Sequence, residues 1–328
     1  MQSRQIQLKS RPQGLPKPEN FQLAEVELAA PGPGEALVRN HFISVDPYMR
    51  GRMNDTKSYV PPFQIGQAME GGAVGEVLES TDPSLSKGDV VLSNYGWRDT
   101  FVASVKELKK VDASFKPLSA YLGVLGMPGM TAWVGLKITN AKAGDVVFIS
   151  GAAGAVGGVA GQIAKQRGCR VIGSAGSDEK VKLLTTELGF DAAFNYKNGL
   201  EALHELAPEG IDVYFDNVGG DHLQAALNAL KPHGRIAACG AISRYNDLEP
   251  KPGPNNLFMM IGKRLTMTGF IVSDWSEHTG EFVKEVGGYL ASGKLKLKET
   301  VVDGIDQAPQ AFISLLTGVN IGKMVVRI

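Results

Sequence analysis

The chain has 328 residues, which is enough for two domains of ordinary size. Its 34 lysines and arginines balance 34 aspartates and glutamates, so no net charge attracts nucleic acid or an anionic lipid surface. Hydrophobic residues make up 43% of the chain, but no apolar run approaches the roughly 20 residues of a membrane span. The composition therefore predicts a soluble protein that has no nucleic-acid or membrane partner.

The N-terminus and the two cysteines indicate a cytoplasmic protein. The first residues are polar and lack the apolar stretch of a signal peptide. Cys169 and Cys239 are too few for a disulfide framework or a multi-cysteine zinc site. Both lie at the edges of apolar segments, where we expect buried free thiols.

Residues 1–120 are predicted to be β-rich. Short apolar segments, such as residues 35–39 and 73–78, are separated by clusters of proline and glycine, such as residues 31–34. From about Leu125 the pattern changes to alternating strands and helices. The tail from residue 295 onward returns to β-like segments at 299–302 and 323–327.

The middle of the chain predicts a Rossmann domain, a six-stranded, doubly wound parallel sheet, because apolar runs alternate with helical segments. The simplest arrangement is a β-rich, GroES-like catalytic domain, residues 1–124 and 296–328, interrupted by a nucleotide-binding domain, residues 125–295. The predicted strands are 146–150, 171–173, 192–194, 213–215, 235–238 and 265–268, and helices include 158–167, 179–188 and 221–230.

A glycine-rich turn joins the first two of these six strands through a helix. The order strand, turn, helix, strand is the context in which such a turn binds a dinucleotide. Backbone N–H groups at a helix start can hold a pyrophosphate, and glycine lets the phosphate come close. The turn departs from the pattern Gly-x-Gly-x-x-Gly only at its first position, which is Ala152, and an extra glycine, Gly151, precedes it. The predicted cofactor-binding residues of the turn are Ala152, Ala153, Gly154, Ala155, Val156 and Gly157.

The end of the second strand favours NADP over NAD. An NAD site usually places an acid there, about 20 residues past the turn, to hold the ribose 2′-hydroxyl. Here the residues at 173–177 are small and include no acid. Ser177 can donate a hydrogen bond to a 2′-phosphate, and Lys180 can supply a positive charge near a helix N-terminus. Two nearby acids, Asp178 and Glu179, argue against NADP.

Several motifs, in order and spread over nearly the whole chain, carry a resemblance. The chain resembles the zinc-independent medium-chain dehydrogenase/reductases, and within them the prostaglandin reductase and alkenal/one double-bond reductase family. The matching segments are residues 45–50, 126–132, 152–157, 176–180, 194–197, 214–220 and 239–246.

The resemblance implies that NADPH reduces the carbon–carbon double bond of an α,β-unsaturated ketone or aldehyde. It places Lys180 and Tyr196 at the 2′-phosphate and Asn217 near the cofactor ribose. It also implies a homodimer formed through the edge strand near residues 265–269. The residues that it places beside the nicotinamide are Gly240, Ala241, Ile242, Ser243, Phe270, Ile271, Val272 and Asn320. Cys239, Met127 and Thr131 are further candidate cofactor contacts. Met127 and Thr131 are expected at the start of a long helix, so Thr131 either touches the nicotinamide or only occupies the first turn of that helix.

The zinc ligands of the wider superfamily are missing from the sequence. Zinc alcohol dehydrogenases need a catalytic cysteine, a His-Glu pair and a second cysteine or histidine, whereas the corresponding stretch, 66–71, is Gly-Gln-Ala-Met-Glu-Gly. Neither cysteine lies in the first domain, and the five histidines are scattered. We therefore expect no bound metal.

A metal-free site suits reduction of a conjugated double bond. Hydride addition to the β-carbon leaves negative charge on the carbonyl oxygen, which then needs one or two aimed donors. We expect the Tyr245 hydroxyl and the cofactor's ribose 2′-hydroxyl to supply them, with the α-carbon protonated by solvent or through Tyr245. A tyrosine in this glycine-rich loop can also serve only packing.

Two further segments leave alternatives open. Tyr48 and Arg50 follow the turn Asp46-Pro47 and either line the substrate pocket or form an ordinary turn with a domain-packing arginine. The proline-rich loop at residues 250–256 is either a lid or partner contact or a solvated loop.

Two other functions also fit the sequence. A quinone reductase would share the fold and the cofactor, and an assay of quinones against enones separates the two. A non-catalytic, crystallin-like nucleotide-binding protein would bind the cofactor but oxidise none of it with any enone. The intact Tyr245 loop argues against this last interpretation.

Overall fold

The computed structural model of the protein describes residues 1–328. The chain forms two compact units. Unit 1 comprises Met1–Leu122, Glu299–Asn320 and Met324–Ile328, and unit 2 comprises Gly123–Lys298 and Ile321–Lys323. None of the helices has the length and apolar character needed to cross a membrane.

The strands are numbered in chain order. They are β1 (Gln2–Leu8), β2 (Phe21–Glu27), β3 (Glu35–Ser44), β4 (Ala73–Ser80), β5 (Val90–Ser93), β6 (Thr100–Ser104), β7 (Lys109–Lys110), β8 (Val146–Ile149), β9 (Arg170–Ala175), β10 (Ala192–Asn195), β11 (Ile211–Asp216), β12 (Leu230–Ala238), β13 (Thr266–Gly269), β14 (Glu299–Asp303) and β15 (Lys323–Arg327).

The α-helices are numbered in the same way. They are α1 (Met49–Arg52), α2 (Met127–Ile138), α3 (Ala155–Gln166), α4 (Asp178–Thr186), α5 (Ala202–Leu206), α6 (Gly220–Ala229), α7 (Met259–Gly262), α8 (Thr279–Ala291) and α9 (Ala308–Leu316).

Unit 2 contains the predicted doubly wound sheet. Six strands lie in the order β10-β9-β8-β11-β12-β13, and every neighbouring pair is parallel. The central strands are continuous apolar runs because helices cover both faces of such a sheet, and Val147, Phe148 and Ile149 of β8 are fully buried. Phe148 stacks on Tyr214 of β11 at 5.1 Å between ring centroids. The predicted Rossmann fold is confirmed.

Unit 1 is the predicted β-rich unit. Its main sheet has the order β14-β15-β3-β4-β5-β7, with β6 paired to β3, and β1 and β2 form a separate antiparallel hairpin. The C-terminal strand returns to this unit, since Val325 of β15 pairs antiparallel with Ser44 of β3. The core is aromatic: Trp97 stacks on Phe21 at 6.0 Å and meets the edge of Phe312 at 6.0 Å.

One carboxylate ties three helices of unit 2 together. Glu285 of α8 accepts hydrogen bonds from the Trp133 indole N–H of α2 at 2.6 Å and from the Arg167 guanidinium at the end of α3 at 3.0 and 3.1 Å. Partial burial acts to raise the pKa of Glu285, but the bonds from Arg167 and Trp133 outweigh it, and the pKa is lowered. The ionised carboxylate is therefore the form that holds α8 in place.

We expect Glu285→Gln to lower the free energy of unfolding at pH 7 by about 1–3 kcal/mol, the usual cost of losing hydrogen bonds to a charged group. Because the native pKa of Glu285 lies below its ordinary value of 4.5, its stabilisation is present above pH 4.5 and is lost as pH falls through the lowered pKa. Urea unfolding of both proteins at pH 7 and at acid pH measures this, with exposed Glu209→Gln as the control. A difference that is independent of pH would contradict this role of the carboxylate.

Candidate active site

The glycine-rich turn between β8 and α3 is closed by contacts that only glycine allows. Gly151 has a positive φ of 60°, and the Gly154 N–H donates to its carbonyl at 3.0 Å. A Cβ at Gly157 would lie 2.5 Å from the Gly151 oxygen and 2.8 Å from the Ala152 Cα. The start of α3 therefore packs directly on the turn, and with glycine at its N-cap no side chain covers the first amides.

A short backbone segment braces this turn from the other side. The Gly322 N–H donates to the Ala153 carbonyl at 2.8 Å, and Gly154 pairs with Gly322. The next residue, Lys323, donates its N–H to the Lys298 carbonyl at 2.9 Å. Asn320, predicted to contact the cofactor, lies two residues before Gly322 in the chain and is assigned to unit 1, so its role stays a prediction.

A buried polar network joins the carboxyl ends of β8 and β11, where the strand order reverses. The Tyr214 hydroxyl donates to Asp216 at 2.7 Å and lies 3.0 Å from the Ser150 oxygen. Asp216 also accepts from the Gly219 N–H at 2.7 Å. Burial raises the pKa of Asp216, and these donors work against that rise. Such a switch point is where doubly wound sheets bind their ligands.

The same network orients Asn217, the residue predicted near the cofactor ribose. Its side-chain amide donates to the Ser150 carbonyl at 2.8 Å, and its N–H donates to the Ser150 hydroxyl at 3.0 Å. The amide oxygen of Asn217 takes part in neither bond. Asn217 is thus held at the crevice by β8 while it belongs to the loop after β11.

Cationic and hydroxyl groups gather after β9 and β10. Ser177 is the N-cap of α4, and its hydroxyl accepts the Lys180 N–H at 3.4 Å. Desolvation, followed by the nearby charge of Lys197, lowers the pKa of Lys180. The positive charges of Lys180 and Lys197 therefore lie near each other, and a bound anion would be attracted to both.

Lys197 is a candidate that the sequence analysis did not single out. It directly follows Tyr196 at the end of β10, and its proximity to Lys180 depends on the pairing of β9 with β10. Asn195 was also missed. Its amide donates to the Asp178 carboxylate at 2.8 Å, so this first-turn acid, which argued against NADP, is engaged with β10.

Tyr196 itself is held between two neighbours. A Cβ at Gly176 would lie 3.0 Å from the Tyr196 hydroxyl oxygen. On its other side the ring contacts His222 of α6 in a T-shaped arrangement, with centroids 4.9 Å apart. Burial lowers the pKa of His222 to about 4, so the imidazole is neutral at pH 7.

The loop after β12 carries Tyr245. The Ala241 N–H donates to the Tyr245 hydroxyl oxygen at 3.3 Å, and a Cβ at Gly240 would lie 3.1 Å from the same atom. Ser243 donates its hydroxyl to the Val218 carbonyl at 2.6 Å, which ties this loop to the loop after β11. A phenol can accept one hydrogen bond and donate another, and an oxyanion donor must be able to donate.

The remaining predicted contacts of unit 2 are less informative. Thr131 is buried and donates its hydroxyl to the Met127 carbonyl at 2.7 Å, a bond within α2. Cys239 as a residue is partly exposed, whereas a buried residue was expected. Its thiol is nevertheless desolvated by the protein atoms around it, which raises the pKa to about 12. Partly exposed side chains follow the carboxyl end of β13 at Phe270, Ile271 and Val272, and Ile242 lies in the loop after β12.

Tyr48 and Arg50 belong to unit 1. The buried Arg50 guanidinium donates to the Gly14 carbonyl at 2.9 and 3.1 Å and to Asn54 at 2.8 Å, so it holds an N-terminal segment. Tyr48 packs against the core of the unit, and burial raises its pKa. These contacts give Arg50 a structural task, and the predicted place of both residues in a substrate pocket stays a prediction.

The protein side chains offer no metal centre. No group of three or more His, Cys, Asp or Glu side chains is arranged so that it could hold a metal ion. In contrast, the turn at 151–157 and the Lys180–Lys197 pair fit a dinucleotide with an extra phosphate. The fit rests on a helix N-terminus that the contact of Gly157 with the turn backbone holds at the strand edge, where no side chain caps its first amides, and on two lysines near each other.

Comparison with known proteins identifies the family. Residues 4–111 match the model described as the N-terminal domain of oxidoreductase, and residues 155–286 match that described as zinc-binding dehydrogenase. The chain is 44% identical to the NADPH-dependent curcumin reductase of Escherichia coli over 98% of its length and 95% of the relative's. It is also 44% identical to the NADP⁺-dependent 2-alkenal reductase of Nicotiana tabacum, over 99% and 97%.

A solved structure agrees along the whole chain. CurA of Vibrio vulnificus in complex with NADPH superposes with a TM-score of 0.95 at 42% identity, covering 99% of this chain and 98% of CurA. The chain therefore belongs to the zinc-independent medium-chain dehydrogenase/reductases, together with the alkenal and curcumin double-bond reductases.

Because the Gly157 contact is between backbone atoms, we expect Gly157→Ala to displace the turn and to weaken NADPH binding on the order of 10- to 100-fold. Quenching or enhancement of NADPH fluorescence on titration measures the affinity. Gly287→Ala on α8 is the matched control, because a Cβ there meets nothing within 4 Å. Equal affinities of the two variants would show that the turn does not hold the cofactor.

Proposed function

We propose that this protein uses NADPH to reduce the carbon–carbon double bond of α,β-unsaturated ketones and aldehydes. One observation carries the proposal: in unit 2 the candidate residues follow the carboxyl ends of all six parallel strands. These groups are the turn after β8, Ser177 after β9, Tyr196 after β10, Asn217 after β11, Gly240 after β12 and Phe270 after β13. One sheet edge thus presents a phosphate cradle, a cation pair and a phenol.

Binding of the cofactor is assigned to the turn at 152–157 and to Ser177, Lys180, Lys197 and Tyr196. The turn amides and the N-terminus of α3 hold the pyrophosphate. The two lysines and the Ser177 hydroxyl bind the 2′-phosphate, with the Tyr196 hydroxyl beside them. Asn195 supports this assignment because it engages the Asp178 carboxylate. The NADP dependence that the relatives' names state agrees with this chemistry.

When bound, NADPH would supply the hydride for the substrate β-carbon, and its ribose 2′-hydroxyl would be a second hydrogen-bond donor. The protein's part is to orient the enone and to stabilise the negative charge that develops on its carbonyl oxygen. The Tyr245 hydroxyl donates a hydrogen bond to that oxygen. The Ala241 N–H donates to the Tyr245 hydroxyl oxygen and holds the phenol in place. The proton for the α-carbon comes from solvent or through Tyr245.

The proposal assigns the cofactor to the Rossmann domain, residues 125–295, and the substrate to a GroES-like catalytic domain formed by residues 1–124 and 296–328. Tyr48 and Arg50 are its proposed pocket residues, with Arg50 acting through the segment it holds. Asn320 is proposed to contact the nicotinamide end. Curcumin-like dienones and 2-alkenals are the substrate classes that the relatives' names suggest.

We also propose that the protein is a cytoplasmic homodimer. Strand β13 is an edge strand, and most of it is exposed. Next to it in sequence are three exposed apolar side chains, Leu257, Phe258 and Ile261, at 51%, 65% and 80% exposure. An apolar group of this kind beside an open strand edge suits pairing with a second copy. The two unpaired cysteines suit a reducing compartment.

We expect Tyr245→Phe to lower kcat on a simple enone by about 10²- to 10³-fold, the usual loss for one oxyanion donor. The affinity for NADPH should change little, because the ring remains and only the hydroxyl is lost. The assay follows NADPH consumption at 340 nm with 2-alkenals, cyclic enones and quinones, and is repeated with NADH. It measures the contribution of Tyr245 and the specificity of the protein for substrate and cofactor. Unchanged turnover of enones by the variant removes Tyr245 from the mechanism, and a wild type that prefers quinones favours the quinone reductase alternative.

We expect Ile261→Glu to shift the protein from dimer to monomer because it places a charge in the apolar group beside β13. Light scattering coupled to size-exclusion chromatography measures the mass. Exposed Val319→Glu in unit 1 is the control. A monomeric wild type would rule out the proposed dimer.

A further inference from the structure

Tyr196 has a neighbour at its hydroxyl and another at its ring, although the residue is 37% exposed. At the hydroxyl end, the missing side chain of Gly176 makes room for the phenol oxygen, which lies 3.0 Å from the position of a Cβ. On the ring, His222 packs in a T-shaped contact at 4.9 Å with an interplanar angle of 72°. Such aromatic contacts contribute beyond simple burial. A side chain at the end of β10 is thus held in place by a glycine after β9 and a histidine after β11.

His222 is not suited to bind a phosphate by itself. Its side chain is 5% exposed, and burial lowers its pKa to about 4, so it carries no charge at pH 7. Its Nε2 is buried and has no hydrogen-bond partner, so this nitrogen makes no polar contact that could account for the position of the ring. What the ring does offer is a rigid, aromatic contact surface for Tyr196.

We infer that His222 is a positioning residue that holds Tyr196 against Gly176 and thereby sets the preference for a cofactor carrying a 2′-phosphate. The inference rests on the proposed NADPH site. It assigns discrimination between the cofactors to three segments: Gly176 and Ser177 after β9, Tyr196 after β10, and His222 of α6 after β11. The aromatic ring of residue 222 is the feature that matters, and its nitrogen atoms are not.

The test uses the full-length protein and two small probes, adenosine 2′,5′-bisphosphate and adenosine 5′-monophosphate (AMP), which differ only by the 2′-phosphate. Isothermal titration of wild type, His222→Ala and His222→Phe gives each affinity directly. We expect His222→Ala to bind the bisphosphate about three- to tenfold more weakly, the range of one lost aromatic contact, and to bind AMP within about twofold of wild type. His222→Phe should restore the preference. KM for NADPH should rise in the alanine variant without a matching rise for NADH.

A second variant approaches Tyr196 from the opposite side. Gly176→Ala places a methyl group 3.0 Å from the phenol oxygen and leaves His222 untouched. We expect the same selective loss of bisphosphate binding. This variant keeps the inference testable if His222→Ala does not fold.

The outcomes separate the inference from the proposed function. A wild type that binds both probes equally refutes the proposed NADPH site, and the inference falls with it. A wild type that prefers the bisphosphate, with His222→Ala keeping that preference or losing both probes equally, overturns the inference alone. So does a His222→Phe variant that behaves like the alanine variant, because the imidazole nitrogen would then be the functional group.

Discussion

The contact between the start of α3 and the turn before it is the constraint on which the cofactor site depends. A helix N-terminus presents its amides usefully only when it lies close to the strand edge. Here the helix comes so close that a Cβ at Gly157 would lie 2.5 Å from the Gly151 oxygen. The positive φ of Gly151 and the Gly322 N–H on Ala153 complete the turn. The first glycine of the usual motif is replaced by Ala152, but the extra Gly151 supplies the unusual backbone angle instead.

The loops after β11 and β12 are held in place by a buried polar network. Tyr214 and Asp216 are buried at the switch point. The Tyr214 hydroxyl bonds to Asp216 and to Ser150, and Asp216 also accepts hydrogen bonds from N–H groups of the next loop. This arrangement holds Asn217 and, through Val218, the Ser243 hydroxyl of the Tyr245 loop. The proposed reductive chemistry requires little more from the protein than fixed donors, since the cofactor brings the hydride.

Local patterns predicted the strands well because buried parallel strands are short apolar runs between glycines and polar turns. All six predicted strands are present in the parallel sheet. The boundaries were less accurate: β12 begins at Leu230, five residues before the predicted start, because Pro232 and Gly234 indicate a turn. Helix α3 begins at Ala155, three residues early, because its N-cap is a glycine without a side-chain signal.

Local sequence patterns predict a site residue only where one short segment contains all the evidence for it. Ser177 and Lys180 stand on one helix N-terminus and were identified from spacing. The proposed roles of Lys197 and His222 depend on their proximity to residues that are distant in the chain, so no local sequence pattern indicates them. The engagement of Asp178 by Asn195 is likewise a product of strand pairing.

The most direct measurement is the fate of the transferred hydrogen. We would incubate the protein with an enone and NADPH deuterated at the transferable C4 position and locate the label in the product by NMR. The account predicts one deuterium at the β-carbon, a solvent-derived hydrogen at the α-carbon and an intact carbonyl group. Deuterium at the carbonyl carbon, or none in the product, would contradict it.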